Sequence, residues 1–215
     1  MPIISNPLTI VQESGNKLSQ LVDGSITEIT ENDLFGITEI RESAFSECAN
    51  LVSVVIPNGV TQIGGFAFSV CNALTKVIIP NGVTRIGAYA FQSCGNLKEL
   101  TIPATVTLIN AGALFFGGMS ETDFDTVTII MEATVPPEIG TGVFLKQALK
   151  KIIVPTGCKA VYISATNWSE YAEYITEKAE YQEIANDYDE TAIVSSYTTE
   201  INTYGETAIT NYMEA

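Results

Sequence analysis

Residues 43–64 read SAFSECANLVSVVIPNGVTQIG, residues 66–87 read FAFSVCNALTKVIIPNGVTRIG, and residues 89–110 read YAFQSCGNLKELTIPATVTLIN. The three segments superpose with a period of 23. Phe45, Phe68 and Phe91 share one column, and Cys48, Cys71 and Cys94 a second. Three more columns are Leu51, Leu74 and Leu97; Pro57, Pro80 and Pro103; and Ile63, Ile86 and Ile109. A period of this length marks a solenoid, because one such unit cannot bury its apolar face alone and must stack on its neighbours.

Each unit reads as a short strand, a proline-ended turn and a compact helical or irregular return. In Leu51-Val52-Ser53-Val54-Val55-Ile56, residues 51, 54 and 56 point inward. Pro57 ends the strand because it has no N–H for a ladder. Asn58-Gly59 and Asn81-Gly82 supply the turn, Val60 and Ile63 fill the next edge of the coil, and the Ala-Phe pair packs the return. Parallel strands are expected near 51–56, 74–79, 97–102, 124–130 and 149–154, about 4.8 Å apart. The expected core is Phe45, Leu51, Val54, Ile56, Ile63, Phe68, Leu74, Phe91, Leu97 and Ile102.

The register degrades outward. Gly36-Ile37-Thr38-Glu39-Ile40 matches Gly59-Val60-Thr61-Gln62-Ile63, and Ser25 to Thr30 reads as a first, more polar strand. Downstream, Ala113-Leu114 replaces Ala-Phe, Phe115 to Asp123 is an insertion, and Val143-Phe144 leads to the strand before Pro155. Atypical end repeats suit caps. The expected organisation is an N-terminal arm over 1–24, a capped solenoid over 25–168, and an acidic C-terminal helix with a β-prone tail over 169–215.

The repeat resembles the BspA-like leucine-rich repeat family, whose unit runs as Leu-x-x-Ile-x-Ile-Pro-x-x-Val-x-x-Ile-Gly-x-x-Ala-Phe-x-x-Cys-x-x. The resemblance covers about residues 25–175. It extends to Thr134-Val135-Pro136-Pro137, the turn Val154-Pro155-Thr156-Gly157 and the Trp168 segment. It implies an α/β solenoid, a right-handed coil with a parallel β ladder, and a role in adhesion or host interaction.

Composition narrows the chemistry. Of 215 residues, 46% are hydrophobic and 16% charged, which excludes a disordered chain. Ten basic residues against 25 acidic ones give a net charge of −15, which disfavours nucleic acid and anionic membranes as partners. The chain has no histidine, so Ser-His, Cys-His and His-ligated mechanisms are excluded. Met1 to Pro7 carries no basic n-region or apolar h-region, and no apolar run reaches membrane-spanning length. The expectation is a chain without signal peptide or membrane insertion, on a virion or cytoplasmic before release.

No catalytic residue, cofactor or metal is expected. The Cys48, Cys71 and Cys94 column reads as core, since a thiol is a small, usually buried group and a straight column is no tetrahedron. Cys158 has no neighbouring base. Glu121, Asp123 and Asp125 lack the glycine turn and distal glutamate of a calcium loop. Residues 48–120 hold one acid, Glu99, so no carboxylate pair can form there. Gly64-Gly65 and Gly117-Gly118 lack the helix signature of a phosphate loop.

Two outward strand columns form the candidate binding face: Ser53, Lys76, Glu99, Thr126 and Lys151, and beside them Val55, Ile78, Thr101, Thr128 and Ile153. The second holds no charge. Its residues serve either as β-formers for the ladder or as a groove for a protein or glycan ligand. The candidate assembly segment is residues 170–215, with 11 acids and one lysine, Lys178. Trp168 to Glu190 reads as helix, with Tyr174, Tyr181 and Tyr188 seven apart beside Ile184; Ile193, Tyr197, Ile209 and Tyr212 follow in the β-prone part. So many apolar side chains on so acidic a segment suggest a homo-oligomer or a larger assembly. The resulting expectation is a non-catalytic recognition and assembly protein on a phage virion or tail-like particle. The alternative is a bacterial surface adhesin for host protein or glycan.

Overall fold

The computed structural model describes residues 10–13, 17–21, 25–116 and 127–178. Strands come in pairs, one pair per coil, because each repeat carries two short extended runs. The chain opens with β1 (Ile10–Glu13), β2 (Lys17–Leu21), β3 (Glu28–Ile29) and β4 (Glu39–Ile40). The regular repeats give β5 (Ser53–Val55), β6 (Gln62–Ile63), β7 (Lys76–Ile78), β8 (Arg85–Ile86), β9 (Glu99–Ile102) and β10 (Leu108–Ile109). After the insertion come β11 (Val127–Met131), β12 (Glu138–Ile139), β13 (Leu149–Val154), the helix α1 (Lys159–Ser164) and β14 (Ile175–Glu177).

The strand pairs stack into two parallel ladders. The strand face runs β3-β5-β7 and then β9-β11-β13-β14. The second ladder runs β2-β4-β6-β8-β10-β12 without interruption, and β1 adds to its first strand as an antiparallel hairpin. The N-terminal segment is thereby tied to the solenoid through Lys17 and Leu18, which pair with Glu39 and Ile40.

The return segments form a third ladder that is neither strand nor helix. The Ser43, Phe45 and Glu47 N–H groups donate to the Gly65, Ala67 and Ser69 carbonyls at 2.9, 2.7 and 2.7 Å. The same pattern recurs one coil on, from Phe66, Phe68 and Val70 to Ala88, Ala90 and Gln92 at 2.9, 2.7 and 2.8 Å. Left-handed backbone at Ser43, Glu47, Phe66, Val70, Tyr89 and Ser93, with φ between 53° and 63°, turns these peptide groups along the stack. Such a conformation is unusual for residues with a Cβ, and the regular inter-coil bonding holds it in place.

Between the ladders lies one continuous core from Ile29 to Ile175. All ten expected core residues are buried. Phe45, Phe68 and Phe91 stack with centroids 4.9 and 5.2 Å apart, the spacing the ladder imposes.

The C-terminal cap departs from the expected helix. Lys159–Ser164 is α-helical, Ser169–Tyr171 is a single 3-10 turn, and Ile175–Glu177 is a strand paired in parallel with β13. The strand pairing of Ile175 to Glu177 ends the helical backbone that begins at Trp168. Ile175 aligns with Ile152 and is 1% exposed, so filling the next core rung outweighs the helical propensity of its neighbours. The expected helix beyond Lys178 lies outside the described residues. Among those described, no helix is long and apolar enough to cross a membrane.

Candidate binding face

Alternation along each strand puts one residue in the core and the next on the strand face. Ser53 pairs with Lys76 and Val55 with Ile78; further on, Glu99, Thr128 and Lys151 align, as do Thr101, Ile130 and Ile153. This corrects the expected register after the insertion. Thr128 stands beside Glu99 and Lys151, and Ile130, which the sequence reading missed, takes its place in the uncharged column. The cause is the insertion before β11, which resets the count: β11 pairs with β9 in unbroken register from Thr128/Glu99 to Met131/Ile102. Thr126 lies outside the described residues.

The columns differ in accessibility. Ile78 is 43% exposed, and Val55, Thr101 and Ile130 are half-buried. Ile153 is 3% exposed and offers no open surface, so the column is accessible over its first four rungs only.

Strands β7 and β9 belong to separate sheets, although β8 and β10 of the same two coils pair normally through Arg85/Leu108 and Ile86/Ile109. Here Val77 and Ile79 are each 8% exposed, against 0% and 2% for their counterparts Val54 and Ile56 one coil earlier. Two adjoining clefts of about 330 and 420 Å³ open at the break and share Ile78, Ile79, Thr101 and Glu132. Glu31 and Asn58 border the first; Lys76 and Glu99 border the second. Glu132 follows Met131, which pairs with Ile102, so a carboxylate stands where the repeat has Pro103. That substitution was the readable signal for this site. The break itself changes no column and left none.

The cysteine column has a structural task. The Cys71 and Cys94 thiols donate to the Phe45 and Phe68 carbonyls of the preceding coil, each at 3.1 Å. Burial pushes Cys71 up to about 12, with the neighbouring Cys48 adding to it, and holds Cys94 well above the ordinary thiol value. Such thiols are poor nucleophiles. All four cysteines are free and buried, and among the described residues no group of three or more His, Cys, Asp or Glu is placed to hold a metal.

A family model for the BspA type leucine-rich repeat region matches residues 23–135 in six copies. The chain belongs to this family. Among solved structures, a T. pallidum leucine-rich repeat protein is similar at 20% identity and TM-score 0.55, covering 75% of this chain and 72% of that one. A leucine-rich cell surface protein from Faecalibacterium prausnitzii is similar at 26% identity and TM-score 0.51, covering 70% of this chain and 38% of that one. The pneumococcal vaccine antigen PcpA is similar at 16% identity and TM-score 0.52, covering 75% and 42%. No curated protein matches.

The BspA-type solenoid closes on an aromatic cap. Trp168 Nε1 donates to the Pro137 carbonyl at 2.9 Å, and the Tyr162 hydroxyl to the Ala133 carbonyl at 2.7 Å. Tyr162 meets Trp168, and Phe144 meets Tyr171, edge to face at 4.9 Å. Of the candidate assembly residues, Tyr174 is half-buried against this same core. Tyr181, Ile184, Tyr188, Ile193, Tyr197, Ile209 and Tyr212 lie outside the described residues.

Proposed function

We propose that this chain is a non-catalytic recognition module of the BspA type whose strand face binds a protein or glycan partner. The observation that carries the reading is the uncharged column Val55, Ile78, Thr101 and Ile130, with Ile78 accessible to solvent on a chain of net charge −15. An uncharged column carried over four coils of so acidic a protein supports a contact surface. The experiment is a binding screen of the full chain on glycan and matrix-protein arrays, run beside Ile78→Arg and Thr84→Arg. Thr84 is exposed beside the second ladder, so it controls for an added charge away from the strand face. The reading expects retained ligands to be lost with Ile78→Arg and kept with Thr84→Arg. Equal retention by both variants contradicts it.

The carrier we propose is a bacterial cell surface, supported by the likeness to the F. prausnitzii cell surface protein. The particle-borne reading draws on the composition of residues 170–215. Sedimentation of the full chain beside a form ending at Glu177 separates the two: a shared assembly that needs the C-terminal segment supports a particle, and a monomer in both forms supports display as a single module.

A further inference from the structure

We propose that the break between β7 and β9 is a peptide site, which takes an extended segment carrying a lysine or arginine beside an aliphatic residue. This rests on the strand face being the binding face. The main chain supplies the first argument. The Thr75 and Lys76 N–H groups donate to the Val52 carbonyl at 2.9 and 3.3 Å, and the Ile56 N–H donates to the Ile78 carbonyl at 3.1 Å. On the other side, the Thr128 and Glu132 N–H groups donate to the Lys98 and Ile102 carbonyls at 2.8 and 3.0 Å. Successive residues of a strand direct their polar groups to opposite sides. Lys76 and Ile78 therefore face β5, and Lys98 and Ile102 face β11. The main-chain groups of Val77 and Ile79 are left facing those of Glu99 and Thr101 across the break. β7 and β9 still approach within 8 Å, too close for a strand to enter between them, so a bound chain lies across the two clefts and reaches these polar groups from the strand face.

The side chains define what such a chain must carry. Ile78, with Val55 beside it, gives an apolar floor for an aliphatic residue. Glu31, Glu99 and Glu132 stand around the two clefts, against one base, Lys76. Carboxylates offer only acceptors, and Lys and Arg are the side chains that meet them with charge-assisted donors. The net charge of −15 draws a basic segment in and repels an acidic one.

The test uses the full-length chain with labelled isoleucine and valine methyl groups, titrated with two capped hexapeptides, Val-Lys-Val-Arg-Val-Thr and its charge-reversed form Val-Glu-Val-Asp-Val-Thr. The expected result is saturable shifts of the Val55, Val77, Ile78 and Ile79 methyls with the basic peptide and none with the acidic one. Glu132→Gln, an exposed position, should weaken binding about tenfold. Raising NaCl from about 0.05 to about 0.5 M should weaken it further. Equal binding of both peptides, shifts centred elsewhere, or no saturable shift overturns the proposal. If Ile78→Arg still abolishes array binding in any of those cases, the strand-face reading stands while the peptide chemistry falls.

Discussion

The Cys71 thiol donates to the carbonyl of Phe45, 26 positions earlier in the chain, at 3.1 Å. The same carbonyl accepts the Cys48 N–H at 3.3 Å, so the bond ties one coil to the next at the point where the aromatic column turns. The cysteine column is thus a row of inter-coil donors. Replacing Cys71 with Ala removes one donor and a buried sulfur, and should cost about 1–3 kcal/mol by urea denaturation. A loss within error would contradict both contributions.

Alkaline pH should loosen the fold through these thiols. Cys71 is raised from 9.0 to about 12 in the folded chain, and Cys94 moves in the same direction. The unfolded chain gives up the proton first as pH rises, so stability is full below pH 9 and falls between about 9 and 12, by up to about 1.4 kcal/mol per pH unit for each thiol. Tyr162 is raised by burial and adds to the trend, so the informative quantity is the difference from a Cys71→Ala, Cys94→Ala variant. The variant should show the shallower decline above pH 9.

Phe68 lies between Phe45 and Phe91 with ring planes 8° and 6° from parallel, and it is fully buried. Truncation to Ala should cost about 3–5 kcal/mol, read as a shift in denaturation midpoint. A cost near 1 kcal/mol would show that the column can collapse around the void.

Gly87 needs its missing side chain for approach and not for backbone freedom. A Cβ there would sit 2.4 Å from the Gly64 main chain, while Gly142 has open space around it. Gly87→Ala should therefore force two coils apart and cost about 3 kcal/mol or more. Equal tolerance of Ala at Gly87 and at Ser46, a half-buried residue of the return segment, would contradict the close packing of the coils.

The repeat made most of the fold legible, because one buried residue in a column fixes the burial of its partners every 23 positions. That is why Leu51, Leu74 and Leu97 could be placed in the core. Features without a column stayed hidden. The left-handed backbone at Val70 has no residue signature, since only the inter-coil bonds of the return segment require it. The placement of Thr128 failed because an insertion resets the count, and the core-facing residues of β11 fix the register afresh. Ile175 looked helical beside regularly spaced tyrosines, yet the next open core rung decided its conformation. On the binding face, Val55, Ile78 and Thr101 were readable from alternation. The break that gives them a cleft was not, since neither flanking strand departs from the repeat.

The most direct test of the account is amide hydrogen exchange at Ile56 and Ile79, which hold the same position in consecutive coils. The Ile56 N–H is bonded to the Ile78 carbonyl at 3.1 Å, while the Ile79 N–H faces the break. The account predicts that Val77 and Ile79 exchange much faster than Val54 and Ile56 in the free protein, and slow when the basic hexapeptide binds, with Thr61 and Thr84 unchanged. Equal protection of Ile56 and Ile79 in the free protein, or slowing confined to the second ladder, would contradict it.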